Sequence, residues 1–174
     1  MKTILLLRHA KSAWSDPRLD DHDRPLNRRG EQAAKAMADH IVRHEPRPGL
    51  ILCSTAMRTR QTLAPLVKLL DAPAPPIALE KGLYLASEDV LLAHLQAVGD
   101  DIGTVLLIGH NDGIWQLAEV LSGRGRAGLM ANLHDKFPTG ALATLRAPIE
   151  RWRDLAAGSA ELLAYVRPRD LLPG

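Results

Sequence analysis

The sequence predicts an α/β fold, a three-layer α/β/α sandwich with a mostly parallel central sheet. Short apolar, partly β-branched runs at Ile4–Leu7, Leu50–Cys53 and Thr104–Ile108 are bounded by polar or turn residues, as expected of strands covered on both faces. Segments with helical spacing separate them, and strands that alternate with helices pair in parallel through crossovers. The length of 174 residues fits one domain, on a prior of roughly 100–200 residues per domain, and no repeat or linker divides it.

The first strand, Ile4–Leu7, stops at Arg8-His9. A signal peptide is excluded as its reading, because Arg8 ends the apolar run short of the roughly 7–15 residues an h-region needs. Ala10 to Leu26, rich in aspartate and cations and broken by Pro17 and Pro25, is too irregular for an element and is read as a site loop. Asn27 stands where a helix cap would, and Ala33, Ala34, Met37, Ala38 and Ile41 carry a helix over Glu31–Val42 that Pro46 and Pro48 follow. After the second strand, Ser54-Thr55 is read as the cap of a helix from Met57 to Leu70. Ile77-Ala78-Leu79 forms a short strand, and Ser87 with Asp89 opens a helix reaching Val98. The third apolar run ends at Gly109-His110 and leads into a helix from Asp112 to Leu121. Gly123 to Gly128 matches Gly-x-Gly-x-x-Gly but follows a helix instead of a strand, so it is read as a mobile loop and not a dinucleotide site. Leu142–Arg146 and Glu161–Val166 are late strands.

Lys and Arg number 22 against 20 Asp and Glu, and a net charge of +2 gives no field that would argue for nucleic acid or an anionic membrane. Aromatics make up 3% of the chain, so stacking platforms for bases are scarce too. No run reaches the ~18 apolar residues of a membrane span. A single cysteine, Cys53, cannot close an intramolecular disulfide and fits a reducing compartment, so a cytoplasmic location is expected. Cys53 and Arg58 are one residue too close for a cysteine-phosphatase loop.

In such folds ligands bind beyond the carboxyl ends of the strands. Three predicted strands finish there in Arg8-His9, in Ser54 with Arg58 just inside the next helix, and in His110-Asn111. Two histidines and two arginines at one sheet edge suit a dianion, because guanidinium forks match phosphate oxygens and helix amino-termini add oriented N–H groups. A neutral imidazole is a competent nucleophile toward phosphorus when a neighbour holds one ring nitrogen protonated. Arginine beside each histidine would repel a cation, which disfavours a metal. His22, His40, His44, His94 and His134 fall on loops or polar faces and are read as solvated.

Leu7-Arg8-His9-Ala10, Pro25-Leu26-Asn27 with Gly30, Ser54-Thr55-Ala56-Met57-Arg58-Thr59 and Gly109-His110-Asn111 occur in the order of the motifs of the histidine phosphatase superfamily, which they resemble. The resemblance spans Ile4 to about Gly140 and implies the phosphoglycerate mutase-like fold. The Arg-His-Ala-Lys-Ser opening, the Asp23-Arg24-Pro25-Leu26 run and the short chain look most like the SixA-type phosphohistidine phosphatases. The resemblance implies a metal-free, cofactor-free phosphatase with His9 as nucleophile and Arg8, Arg58 and His110 on the phosphoryl group. Ser12 would lie at the pocket rim and Asn111 would bind substrate. His110 is expected to donate as an imidazolium favoured by bound phosphate.

The sequence offers no unambiguous acid for a leaving oxygen. Glu80 is the nearest by order, Asp16 is a further choice, and Asp112 more simply serves the start of the helix after His110. An imidazole leaving group needs less proton assistance than an alkoxide, so phosphohistidine on a signalling or phosphotransfer protein is the expected substrate. A small phosphorylated metabolite is the alternative, and a non-catalytic phosphohistidine-binding module is a third reading.

Overall fold

The computed structural model describes residues 1–173. Strand β1 (Lys2–Arg8) sends alternate side chains into two separate apolar layers, Ile4 and Leu6 into one, Leu5 and Leu7 into the other. That is the period of two of any strand, and both faces are buried because all four residues are apolar. Strands β2 (Leu50–Ser54) and β4 (Thr104–Gly109) repeat it: Leu52, Val105 and Leu107 join the first layer, Ile51, Cys53, Leu106 and Ile108 the second. Helices α1 (Arg28–His44) and α2 (Met57–Leu69) cover the second layer through Met37, Ile41, Leu63 and Leu66. Helices α3 (Glu88–Gln96), α4 (Gly113–Leu121) and α5 (Ala127–Asp135) cover the first through Leu91, Leu95, Ile114, Leu117 and Leu133.

Four more strands, β3 (Ile77–Glu80), β5 (Ser122–Gly125), β6 (Leu142–Ala147) and β7 (Ala160–Val166), complete a seven-stranded sheet. Its order is β3-β2-β4-β1-β6-β7-β5. Pairing is parallel except where β6 runs antiparallel to both β1 and β7. Neighbouring β1 and β4 lead into α1 and α4 on opposite faces, which opens a crevice at their carboxyl ends. A short helix, α6 (Pro168–Leu171), closes the chain against α1. No helix among the described residues is long and apolar enough to cross a membrane.

The structure corrects the sequence reading at several points. Gly123 to Gly128 is not a loop but contains β5 and the start of α5. An edge strand needs only backbone pairing, here with β7, and leaves no apolar signature in a run of Gly and Arg. Gly123 also lies so close to the Gly158 carbonyl that a Cβ would sit 2.0 Å from its oxygen. Ser54 and Thr55 do not cap α2 by side chain: the N-cap is Ala56, and the two hydroxyls contact histidines instead. Asp112 occupies the N-cap of α4 without a side-chain capping bond. The helix opened by Ser87 ends at Gln96, short of Val98. His22 and His40 are not fully solvated. His22 bonds Thr55 Oγ1 at 2.9 Å, and His40, with its side chain 15% exposed, lies 3.5 Å from Glu45.

Candidate active site

The His9 backbone N–H donates to the Gly109 carbonyl at 3.1 Å, continuing the β1–β4 ladder one residue past Arg8. His9 and His110 therefore leave adjacent strands together, with ring centroids 5.3 Å apart. The Gly140 N–H donates to the His9 carbonyl at 2.9 Å from a backbone at φ +77°, a conformation glycine adopts without a Cβ penalty. His9 Nδ1 lies 2.7 Å from the Ala10 carbonyl oxygen. A carbonyl only accepts, so Nδ1 carries the proton and the lone pair is on Nε2. Ala10 is held in turn: its N–H donates to Thr62 Oγ1 at 2.9 Å, and the Thr62 hydroxyl donates to the Arg58 carbonyl at 2.7 Å. Helix α2 thus positions the His9 ring as well as the Arg58 side chain. Burial lowers the His9 pKa; the Ala10 bond opposes it, but Arg8, Arg58 and Arg24 add to the lowering and hold it at about 4. The ring is neutral at pH 7.

Arg8 Nη1 donates to the Phe137 carbonyl at 3.0 Å. Arg58 grips Asp21 twice, through Nη1 to its carbonyl at 2.7 Å and Nη2 to Oδ2 at 2.9 Å. Arg24 bonds Asp21 Oδ1 at 3.1 Å and Ser12 Oγ at 2.7 Å, and the Tyr84 hydroxyl donates to Asp21 Oδ2. Burial pushes the Asp21 carboxyl up, yet the bonds from Tyr84, Arg58 and Arg24 outweigh it and hold the acid well below the usual carboxylate range. His110 Nε2 lies 2.8 Å from Ser54 Oγ. Burial, then the neighbouring His9 and Arg58, lower its pKa to about 3, so the phosphate-free protein carries a neutral His110; the imidazolium expected from the sequence is one that bound phosphate would favour. Arg8 Nε, Arg58 Nε and His110 Nδ1 are buried without a hydrogen-bond partner. Unpaired buried nitrogens on two guanidiniums are costly unless an acceptor meets them, which suits an anion.

Arg8, His9, Ser12, Arg58, His110 and Asn111 line one cavity of about 470 Å³, together with Lys11, Trp14, Asp21, Arg24, Leu85 and Thr139. Asn111 Nδ2 donates to the same Phe137 carbonyl that Arg8 uses, at 2.9 Å. Glu80, Asp16 and Asp112 do not line it. Glu80 ends β3 in register with Ser54, and Asp16 is engaged on the surface by Arg18 at 3.0 Å. Sequence reasoning missed Asp21, Arg24 and Tyr84 as site residues. The spacing of Asp21 and Arg24, three apart in a loop already assigned to the site, was the available signal.

Residues 4–84 match the model of the histidine phosphatase superfamily (branch 1). An uncharacterised protein of Mycobacterium tuberculosis is 37% identical over 165 residues, 94% of this chain and all of its own length. A Nakamurella multipartitia structure described as a candidate phosphohistidine phosphatase SixA is 32% identical, covers 97% of this chain and 96% of its own, and superposes with a TM-score of 0.83. A second candidate SixA, from Agrobacterium tumefaciens, is 32% identical over 96% of this chain and 98% of its own, with a TM-score of 0.81.

Proposed function

Because the chain belongs to the histidine phosphatase superfamily, we propose that it is a metal-independent phosphatase that removes phosphate from phosphohistidine on a signalling or phosphotransfer protein. The observation that carries this reading is the His9 ring, neutral, with its Nδ1 proton tied to Ala10 and its Nε2 lone pair free beside Arg8 and Arg58. Nε2 attacks phosphorus and the P–N bond breaks, so that a substrate ring protonated on its distal nitrogen departs as neutral imidazole. Water then attacks phospho-His9, releasing inorganic phosphate and restoring the neutral ring. Arg8 and Arg58 neutralise the equatorial oxygens, the task that Mg²⁺ performs in kinases. In the tautomer in which Ser54 Oγ donates to Nε2, His110 offers Nδ1–H to the phosphoryl group as a neutral donor.

The leaving group decides between substrates. Among the described residues Asp21 is the only carboxylate lining the cavity, and its bonds hold it ionised. A phosphoramidate, whose imidazole departs with little proton assistance, fits such a site better than an ester. For esters Glu80 remains the candidate acid, and it would have to approach from the end of β3. The single buried Cys53 fits a cytoplasmic enzyme. The test is phosphate release in EDTA from a phosphohistidine peptide and from an aryl phosphate. Fast turnover of the peptide by the wild type, lost in His9→Ala, is the expected result. Turnover of the ester alone would move the function to a small phosphorylated metabolite, and no release from either would favour a phosphohistidine-binding module.

A further inference from the structure

A second cavity, of about 670 Å³, adjoins the catalytic one, and Lys11 and Thr139 line both. Among the described residues its wall carries three cations, Lys11, Arg29 and Arg169, and no carboxylate. Among the exposed arginines elsewhere, Arg18, Arg43 and Arg151 each lie against an aspartate, at 3.0, 3.0 and 3.1 Å, whereas Arg28, Arg60, Arg126 and Arg153, scattered over the surface, form no ion pair among the described residues. Lys11, Arg29 and Arg169 form no ion pair among the described residues. Like charges left uncompensated around a concavity raise the local concentration of anions.

The positions of two of these cations are built in. Arg29 lies in the first turn of α1, where Asn27 Oδ1 accepts the Gly30 N–H at 2.8 Å. Arg169 lies in α6, which the Asp170 carboxylate ties to the Arg167 N–H at 2.8 Å. The rest of the wall is largely apolar, from Ala33, Pro168 and Leu172. Cations above an apolar wall match a side chain with an aliphatic stem and a terminal carboxylate.

We propose that this cavity receives an acidic side chain flanking the phosphohistidine of the protein substrate, an inference that rests on the phosphohistidine reading above. The buried Arg58 of the first cavity meets a fixed dianion, whereas the exposed Lys11, Arg29 and Arg169 meet a mobile carboxylate at the rim. Trp14, 77% exposed, and Leu85, 55% exposed, border the catalytic cavity and offer apolar contact to a polypeptide.

The experiment compares two phosphohistidine peptides that differ only in glutamate or glutamine at the flanking positions, with an unflanked aryl phosphate as reference. The wild type should favour the glutamate peptide in kcat/KM by roughly five- to tenfold, the effect of a few partly exposed charge pairs, and less at high salt. The double variant Arg29→Gln/Arg169→Gln should lose that preference while hydrolysing the glutamine peptide as the wild type does. Equal rates on the two peptides in the wild type, or a preference that survives in the double variant, overturn the flank proposal alone. Hydrolysis of the aryl phosphate with no hydrolysis of either peptide overturns the phosphohistidine reading and the flank proposal with it.

Discussion

In the proposed mechanism His9 acts under two opposed influences, a carbonyl that fixes its tautomer and a buried, cationic setting that keeps the ring neutral. The first acts through Thr62, whose hydroxyl bridges the Ala10 N–H and the Arg58 carbonyl. Thr62→Val leaves the Ala10 N–H buried and unpaired, at a cost of about 1–3 kcal/mol in stability. It should also lower kcat by roughly ten- to a hundredfold with little change in KM, because the nucleophile is misplaced while the arginines still bind phosphate. Thr62→Ser should restore kcat; if it does not, the hydroxyl is not what positions the ring. The neutral setting has a pH signature. His9 and His110 have folded pKa values of about 4 and 3, below the ordinary 6.5, so between pH 6.5 and 4 the unfolded chain binds more protons than the folded one. Their contribution to stability is therefore complete above pH 6.5 and is lost as pH falls toward 4. The urea midpoint should drop across that window, and the ring nitrogens of both histidines should read as neutral at pH 6 by NMR. A His9 that titrates near 6.5 would contradict the assignment. At this scale the sequence showed Arg8, His9 and His110, because each stands where an uninterrupted apolar run ends, and Arg58 just inside the helix that follows the Leu50–Cys53 run. It hid Asp21 and Tyr84, which come from irregular segments and meet only through the fold.

Among the elements, the start of α1 is held in close backbone contact with the pocket loop. A Cβ on Gly30 would lie 2.0 Å from the Lys11 carbonyl oxygen, and the Asn27 N–H donates to that same oxygen at 3.0 Å. The helix and the pocket loop can approach this closely only with glycine there. Gly30→Ala should cost about 1–3 kcal/mol by overpacking, read as a lower urea midpoint, and should weaken phosphate binding because Lys11 and Ser12 move with the loop. A variant as stable as the wild type would show that the loop yields freely. The buried strands β1, β2 and β4 were legible because both of their faces demand apolar residues. Strand β5 and helix α5 were not: Ser122, Arg124 and Gly125 pair with β7 around a bulge at Gly123 and present no apolar pattern, and α5 buries only Leu133 fully.

Across the whole molecule, the crossing of α1 and α4 to opposite faces turns three separate strand ends into one site. β1 delivers Arg8 and His9, β4 delivers His110, and β2 with α2 delivers Ser54 and Arg58. The three-layer fold and this convergence could be read from the order of the strands and the polar residues that end them. The second cavity could not, since its cations come from Lys11, the first turn of α1 and a helix near the chain's end. In the proposed mechanism phosphate passes through His9, and the most direct measurement of that passage is rapid quench into alkali during turnover, followed by mass spectrometry of the peptides. One added phosphoryl group is expected on the peptide containing His9, on the Nε2 atom, and none in His9→Ala. Phosphoryl on another residue, or sustained turnover by His9→Ala, would contradict it.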